Sequence, residues 1–478
     1  MTGRASADGT KARATGTGPG AAKGKRYTTI ARRIRRLELF PAVGFALVAG
    51  VAVAVAAYGL LYWALPASEA KAAPIDITRL ALTIVAGVGG TVALVVAYRR
   101  QRDIEQSRFV ERFGAAAGQL GATDVAVRIA GVYAMAGAAD ESEGLRRQQC
   151  IDVLCGYLRL PYDPAQGSSG RTKLVTTLPR ADHGETEEHV EYRQNDREVR
   201  RTILRVIADH LRPGNEYCWS AANFDFRSAH LEEVAFDGVV FSGRARFDRA
   251  TFDGRAEFGN AVFNGPAGFD EAIFGGPTVF DGAKFAGDTL FGRATFNDSA
   301  EFRGAAFRGD AAFYRAVFNG HTEFRQARFD TAGFYRATFN GHARFDDTIF
   351  GGGAVFHGAT FNGHAEFQRA TFNAAAGFGK TTFDGRAEFG ESTFHGEARF
   401  AESAFNGPVG FTAVAFIGPA IFSDADFGSE KVTFDDPAGW GPPAPVFDWD
   451  QNIAAKPANI DPQDWPPTPV HGRSTAPG

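Results

Sequence analysis

The stretch that decides the fold is residues 296–345, FNDSAEFRGAAFRGDAAFYRAVFNGHTEFRQARFDTAGFYRATFNGHARF. Phenylalanine returns at 296, 302, 307, 313, 318 and 324, in intervals that alternate between six and five residues. The same alternation runs from Phe241 to Phe434, through Phe247, Phe252, Phe258, Phe263, Phe269 and Phe274 upstream and Phe361 and Phe367 downstream. Of the chain's 44 phenylalanines, 36 lie in this interval. The unit is eleven residues, A-x-F-[ND]-G-x-A-x-F-x-x. A small residue precedes most of these Phe by two positions, as in Ala245, Ala250, Ala256, Ala261, Ala267 and Ala272. A glycine follows the Phe that opens each six-residue gap, as at Gly254, Gly265, Gly276, Gly287, Gly309, Gly320 and Gly341.

A period this regular over roughly 190 residues specifies a solenoid. Helical repeats are excluded, because no i, i+4, i+7 apolar stripe exists and glycine recurs too often. Short strands fit, because side chains alternate along a strand, so each Phe and the small residue two positions earlier point inward together. The residues between are Arg, Glu, Asp, Asn and Thr, and they face water. Asn-Gly and Asp-Gly at the wide gaps are expected to supply the positive φ of tight corners.

The lattice resembles the pentapeptide-repeat family, whose unit is A-[DN]-[LF]-x-x with a buried central Leu or Phe. The resemblance covers about residues 221–434. It implies a right-handed quadrilateral β-helix with four five-residue faces. Every second face here carries one extra residue at the glycine, so the expected coil is 5+6+5+6, about 22 residues, with bulged corners at the glycines. At Phe324, Phe329, Phe334 and Phe339 the spacing is five throughout, so that coil is expected to be about 21 long. About nine coils at about 4.8 Å each make a rod of roughly 43 Å. The Phe should stack in four columns, and each buried Phe is worth on the order of 1.5–3 kcal/mol before chain entropy is subtracted.

Upstream of the lattice the chain changes character. Residues 1–36 are low-complexity and basic, with Arg32, Arg33, Arg35 and Arg36 clustered, and are read as a disordered tail. Phe40–Leu65 holds no charge, and neither does Leu80–Tyr98, which is followed by Arg99-Arg100-Gln101-Arg102. Each run is long enough to cross a bilayer. With basic outer flanks, residues 37–102 are predicted to form a two-span hairpin in lipid, with both chain ends in the cytoplasm of a cell membrane. Neither run carries a mid-membrane charge, so the hairpin is an anchor and not an ion path.

Residues 103–214 read as a helical module. Thr123 or Asp124 caps a helix bearing Val125, Ile129 and Val132; another spans about Gly144–Arg159; a last one runs from Glu198 to Arg212, ended by Pro213-Gly214. RFVERFGAAAGQLG (108–121), VAVRIAGVYAMAGAA (125–139) and QCIDVLCGYLR (149–159) look like the module found in membrane-anchored bacterial pentapeptide-repeat proteins. That module has no assigned catalytic residue, and Arg128 is read as a structural polar contact in it. Residues 161–197 are read as a polar, solvated insertion. His183, Glu185, Glu187, Glu188 and His189 in it match no closed zinc spacing. Cys150 and Cys155 are read as small buried hydrophobes, and Cys218, beside Trp219, as part of the next domain's cap.

The remaining domains are the solenoid, 215–434, and a Pro/Trp-rich tail, 435–478. Near Trp440 and Trp449 this tail is expected to cap the open strand edges, with disorder beyond about Ile460.

The chain is balanced, with 51 basic and 55 acidic residues, and holds only 3 Cys, which excludes a basic nucleic-acid binder and a disulfide scaffold. No nucleophile–base pair, phosphate loop, cofactor motif or metal-ligand cluster appears, so no enzymatic role and no cofactor are expected. The rod, 241–434, carries 23 acidic and 18 basic residues, net −5. Some family members mimic DNA to inhibit or protect nucleic-acid enzymes, which calls for a strongly acidic rod; a mixed surface and a membrane tether disfavour that alternative, and nucleic acid is not an expected partner. The reading is a membrane-anchored scaffold whose rod meets a protein partner. His321, His342 and His364 each lie three residues after an equivalent Phe and are expected to form an exposed column.

Overall fold

The computed structural model describes residues 48, 50–52, 55–56, 59–60, 63, 74–164, 173–179, 185–191 and 195–470. The chain divides into two compact units at Arg108/Phe109, and each is described by itself.

The first unit contains most of helix α1, Pro74–Leu120, 47 residues long. Among the described residues no helix is long and apolar enough to cross a membrane. The predicted two-span hairpin is therefore not supported by the fold. Phe40–Leu65 lies almost wholly outside the described residues, as does the basic tail 1–36. Leu80–Tyr98 is the early part of α1, which runs on without a break into the charged segment Arg99–Arg112.

The second unit opens with the helical module. Asp124 caps α2, Val125–Asp140, by accepting from the backbone N–H of Ala126 at 2.7 Å and Val127 at 3.3 Å. Helices α3, Gly144–Leu158, and α4, Asp196–Leu211, pack with α2 around Val132, Met135, Ile151, Leu154, Ile203 and Ile207. Arg128 crosses this core fully buried. Its Nη1 donates to Asp196 Oδ1 at 2.6 Å, and Tyr157 Oη donates to the same oxygen at 2.5 Å. A buried guanidinium is tolerable only with such a carboxylate beside it. Burial pushes the Cys150 thiol up to about 11 and the Cys155 thiol up to about 12. The insertion is not simply a loop: β1, Lys173–Pro179, pairs antiparallel with β2, Glu185–Glu191, where Val and Thr favour extended backbone. His183 lies outside the described residues.

Trp219 joins module to solenoid. Fully buried, it stacks on His210 at 4.0 Å and donates Nε1–H to Asp140 Oδ1 at 2.8 Å.

From Phe224 onward each coil pairs in parallel with the next. The register is Phe252↔Phe274↔Phe296↔Phe318, a step of 22 residues. The step shortens to 21 where Phe318 meets Phe339. The missing residue is localised where Ala306–Ala312 pairs with Arg328–Gly333: Phe307 meets Phe329, but Asp310 meets Thr331. All 36 lattice Phe are at most 3% exposed. They form four columns, which define four faces in coil order: face A through Phe247, B through Phe252, C through Phe258 and D through Phe263. Rings within a column lie 4.5–5.5 Å apart and, for all but a few, within about 10° of parallel. Columns A and C, on opposite faces, interleave edge to face along the axis, as where Phe356 meets Phe345 at 89° and Phe367 at 90°. Buried hydroxyls at the small-residue positions are satisfied by carbonyls: Thr348 Oγ1 donates to Phe324 O at 2.7 Å and Ser403 Oγ to Phe400 O at 2.6 Å.

The corners correct the expectation about glycine. Most glycines at the wide gaps do not adopt positive φ; Gly254 is the exception. Their requirement is close approach. A Cβ on Gly341 would lie 2.3 Å from Gly320 O, and one on Gly363 would lie 2.4 Å from Gly341 O. Left-handed backbone sits instead at the narrow gaps, on residues such as Arg249, Glu271, Arg293, Arg315 and Arg336, with φ of 54–58°. Each is the third residue of a type II turn, as where Ala250 N donates to Phe247 O at 3.0 Å. Inter-coil hydrogen bonds hold the strain: Arg249 N donates to Asp270 O at 2.7 Å.

The cap runs further than expected. Ile460 pairs with Val432, and Val470 N donates to Pro437 O at 3.1 Å. Trp465 meets Phe434, Trp440, Phe447 and Trp449 with ring centroids 5.0–5.7 Å apart. Four aromatic rings need a fifth to close the end of the rod, so order does not stop at Ile460.

Candidate protein-interaction face

The lattice residues Phe247, Phe252, Phe258, Phe263, Phe269, Phe274, Phe313, Phe318, Phe361 and Phe367 are all at most 1% exposed. They build the interior and offer nothing to a ligand. Recognition belongs to the residues immediately before and after each Phe, which point outward.

Aligned by coil, these outward residues give each face its own chemistry. Face B carries threonine before the Phe at 251, 295, 338, 360 and 382 and asparagine after it at 297, 319, 340, 362 and 406. The asparagines bond along the axis: Asn340 Nδ2 donates to Asn319 Oδ1 at 2.7 Å and Asn362 Nδ2 to Asn340 Oδ1 at 2.6 Å. Face C is charged. From Glu301 to Gly390 it holds Glu301, Arg303, Glu323, Arg325, Arg344, Asp346, Glu366 and Glu388. Arg344 lies 2.9 Å from Glu366, 3.2 Å from Asp346 and 3.6 Å from Glu323. Arg303 lies 2.5 Å from Glu301 and 3.8 Å from Glu323. The arginines interrupt what would otherwise be an acidic stripe. Burial raises the Asp346 pKa, with repulsion from Glu366 adding to it and Arg344 and Arg325 opposing.

Face A differs. Over the five coils from Leu290 to Gly379 its outward residues are Leu290, Gly292, Ala312, Tyr314, Gly333, Tyr335, Val355, His357, Gly377 and Gly379, without one Asp, Glu, Lys or Arg. Leu290 and Val355 are each 40% exposed, and Tyr314 is 38% exposed. Tyr314, Tyr335 and His357 stack at 5.7 and 5.6 Å, within 7° of parallel. Along one edge the left-handed turns project Arg293, Arg315, Arg336 and Lys380. Arg315 and Arg336 lie 5.3 and 5.2 Å from the centroids of Tyr314 and Tyr335. Toward the helical module the face deepens into a groove of about 600 Å³ lined by Arg227, Arg244, Arg246, Arg249, Asp270 and Leu290, among others.

Other candidates are weaker. His321, His342 and His364 do form the expected column, with rings 6.1 and 5.6 Å apart, and His342 Nε2 lies 2.9 Å from Glu366. Among the described residues, His230, Glu232 and Asp253 have ligand atoms within 4.8 Å of one another. The Glu232 carboxylate is already gripped by Arg197, at 2.9 and 3.0 Å, and accepts from Tyr162 Oη at 3.2 Å, so a fixed guanidinium stands where a cation would bind. The two buried thiols are held protonated and inert.

A family model described as pentapeptide repeats (9 copies) matches residues 226–273, 269–316, 302–349, 345–393 and 389–436. No curated protein and no solved structure matches the chain.

Proposed function

We propose that this protein, whose residues 226–436 match the pentapeptide-repeat model and form a β-solenoid, is a non-enzymatic scaffold, anchored to a membrane through residues 40–98, whose rod binds a protein partner in the cytoplasm. The observation that carries the scaffold reading is the uncharged outward stripe of face A, repeated over five coils of a rod whose opposite face is densely charged. A rigid lattice holds these side chains without the ordering cost that flexible segments incur on binding.

Membrane attachment rests on the sequence. Leu80–Tyr98 is uncharged and ends in a basic cluster, and Leu82, Leu94 and Tyr98 on α1 are each more than 60% exposed. The arginines that cross face C weigh against the alternative of a DNA-like inhibitor or protector of a nucleic-acid enzyme.

Affinity purification of the intact protein from its native membrane, compared with a chain lacking 226–436, tests the scaffold. A partner lost with the rod supports it; partners retained in full without the rod overturn it. Alkaline carbonate washing tests the anchor: the protein should stay in the pellet, and release into the supernatant would refute insertion.

A further inference from the structure

We propose that face A receives an acidic amphipathic α-helix of a partner protein, laid along the rod axis. This rests on the scaffold reading and specifies the partner's chemistry.

The stripe demands two things of its occupant. Along its centre it offers apolar and aromatic contacts, Leu290, Tyr314, Tyr335 and Val355, separated by glycines that leave the surface low. Along its edge it offers cations. Arg293 lies 3.2 Å from Glu271 and Lys380 lies 3.3 Å from Glu402, but Arg315 and Arg336 have no carboxylate partner among the described residues. The groove at the module end is balanced instead, with Arg227, Arg244, Arg246 and Arg249 beside Asp248, Asp270, Glu271 and Asp288, so the cationic margin is the stretch at Arg315 and Arg336. A ligand that is apolar on one side and negative along its margin satisfies both.

The axial spacing selects a helix over a strand. The Phe beneath the stripe stack at 4.8–4.9 Å from coil to coil. Same-face side chains of an α-helix advance about 5.4 Å per turn, against roughly 6.6–6.8 Å for alternate residues of a strand. Over five coils a helix therefore drifts by only about 2 Å where a strand drifts by about 7 Å, and about 13–16 helical residues would cover them. The chain's own tail, residues 1–36, has the wrong charge for this seat: its ten Arg and Lys face a single acid, Asp8.

The test uses the full-length protein in its native cells, with a photo-crosslinking benzoylphenylalanine replacing Tyr335 on face A or, as a control, Gln368 on face C. The expected product is an adduct at 335 whose crosslinked peptide, sequenced by mass spectrometry, is net negative with apolar residues at i, i+3/i+4 and i+7. Its yield should fall at least tenfold in the double variant Arg315→Glu, Arg336→Glu, whose fold is checked by an unchanged melting curve. An equal or stronger adduct at 368 would overturn the assignment of face A while leaving the scaffold intact. A basic peptide, a lipid adduct, or an adduct insensitive to the charge reversal would overturn the acidic helix. No adduct at either site, with partners still recovered without 226–436, would overturn the scaffold itself.

Discussion

Gly341→Ala separates two explanations of the corner glycines. If glycine were there for backbone freedom, alanine should be harmless, because Gly341 is not among the positive-φ residues, and the substitution would stabilise by about 0.4–1 kcal/mol through the unfolded chain. The packing predicts the opposite. The new Cβ would sit 2.3 Å from Gly320 O, 2.5 Å from Gly320 C and 3.1 Å from His321 N, all backbone atoms of the coil below. Reaching an ordinary carbon contact of about 3.5 Å requires the coils to part by roughly 1 Å. That strains the hydrogen bonds Asn340 N to Phe318 O at 2.8 Å and Thr322 N to His342 O at 2.8 Å, each worth about 0.5–1.5 kcal/mol. It also loosens the Phe318–Phe339 stack at 4.8 Å. With overpacking of about 1–3 kcal/mol, the total is about 2–6 kcal/mol. Gly304→Ala is the control. Gly304 has φ of 63° and nothing within 4 Å of its virtual Cβ. Arginine and glutamate occupy equivalent turn positions, so alanine there should cost only about 1 kcal/mol. Amide hydrogen exchange of the full-length protein reads both: Gly341→Ala should deprotect the coils on either side of 341, and Gly304→Ala should change little. Unchanged protection in Gly341→Ala, or a larger loss in Gly304→Ala, would refute the close-approach argument.

Phe313→Ala should cost about 3–5 kcal/mol and Phe313→Asp should unfold the neighbouring coils, while Arg315→Asp stays near neutral in urea melts, since Arg315 is exposed. Because burial raises the Asp346 pKa, its charged form works against the fold; Asp346→Asn should raise the melting temperature at pH 7, and the gain should fade as pH falls through the carboxylate range, where Asp346 is itself protonated. In the native protein a maleimide should label Cys218, which is exposed, but not Cys150 or Cys155 until denaturant is added. Trp465→Ala should open the capped end of the rod and raise concentration-dependent self-association, measured by light scattering.

The solenoid was largely legible because one residue type at two spacings encodes both period and direction. The 22-residue step, the four columns and the shortened coil at Phe324–Phe339 all follow from intervals that can be counted. The reason for the glycines was not legible, because Asn-Gly signals a positive-φ turn equally well and only the stacked coil below reveals that a Cβ has no room. Nor were the left-handed arginines, since a single turn gives no hint of the inter-coil hydrogen bonds that tolerate them. Face A could have been found by writing the sequence in rows of one coil: Tyr314, Tyr335 and His357 each follow a face A Phe. It is not legible within one repeat, because these residues stand 21 and 22 positions apart and a lone outward aromatic carries no periodic signal. The β1–β2 hairpin and Trp465 carry short, weak patterns whose meaning depends on partners distant in the chain.

The repeat closes after eleven residues, but the coil needs twice that. A nascent rod that paired half a coil out of phase would still lay phenylalanine on phenylalanine, and its interior could not detect the mistake. The cost would appear outside, where the uncharged stripe of face A would be continued by the carboxylates of face C. The 21-residue coil does not remove this degeneracy, because its five-residue gap between Phe329 and Phe334 lies against six-residue gaps in either phase. Phase has to be set where the chain enters the rod. There Trp219, held by His210 and Asp140 of the helical module, is fixed before the first coil closes, so the module acts as the key that starts an otherwise self-similar thread on the right face.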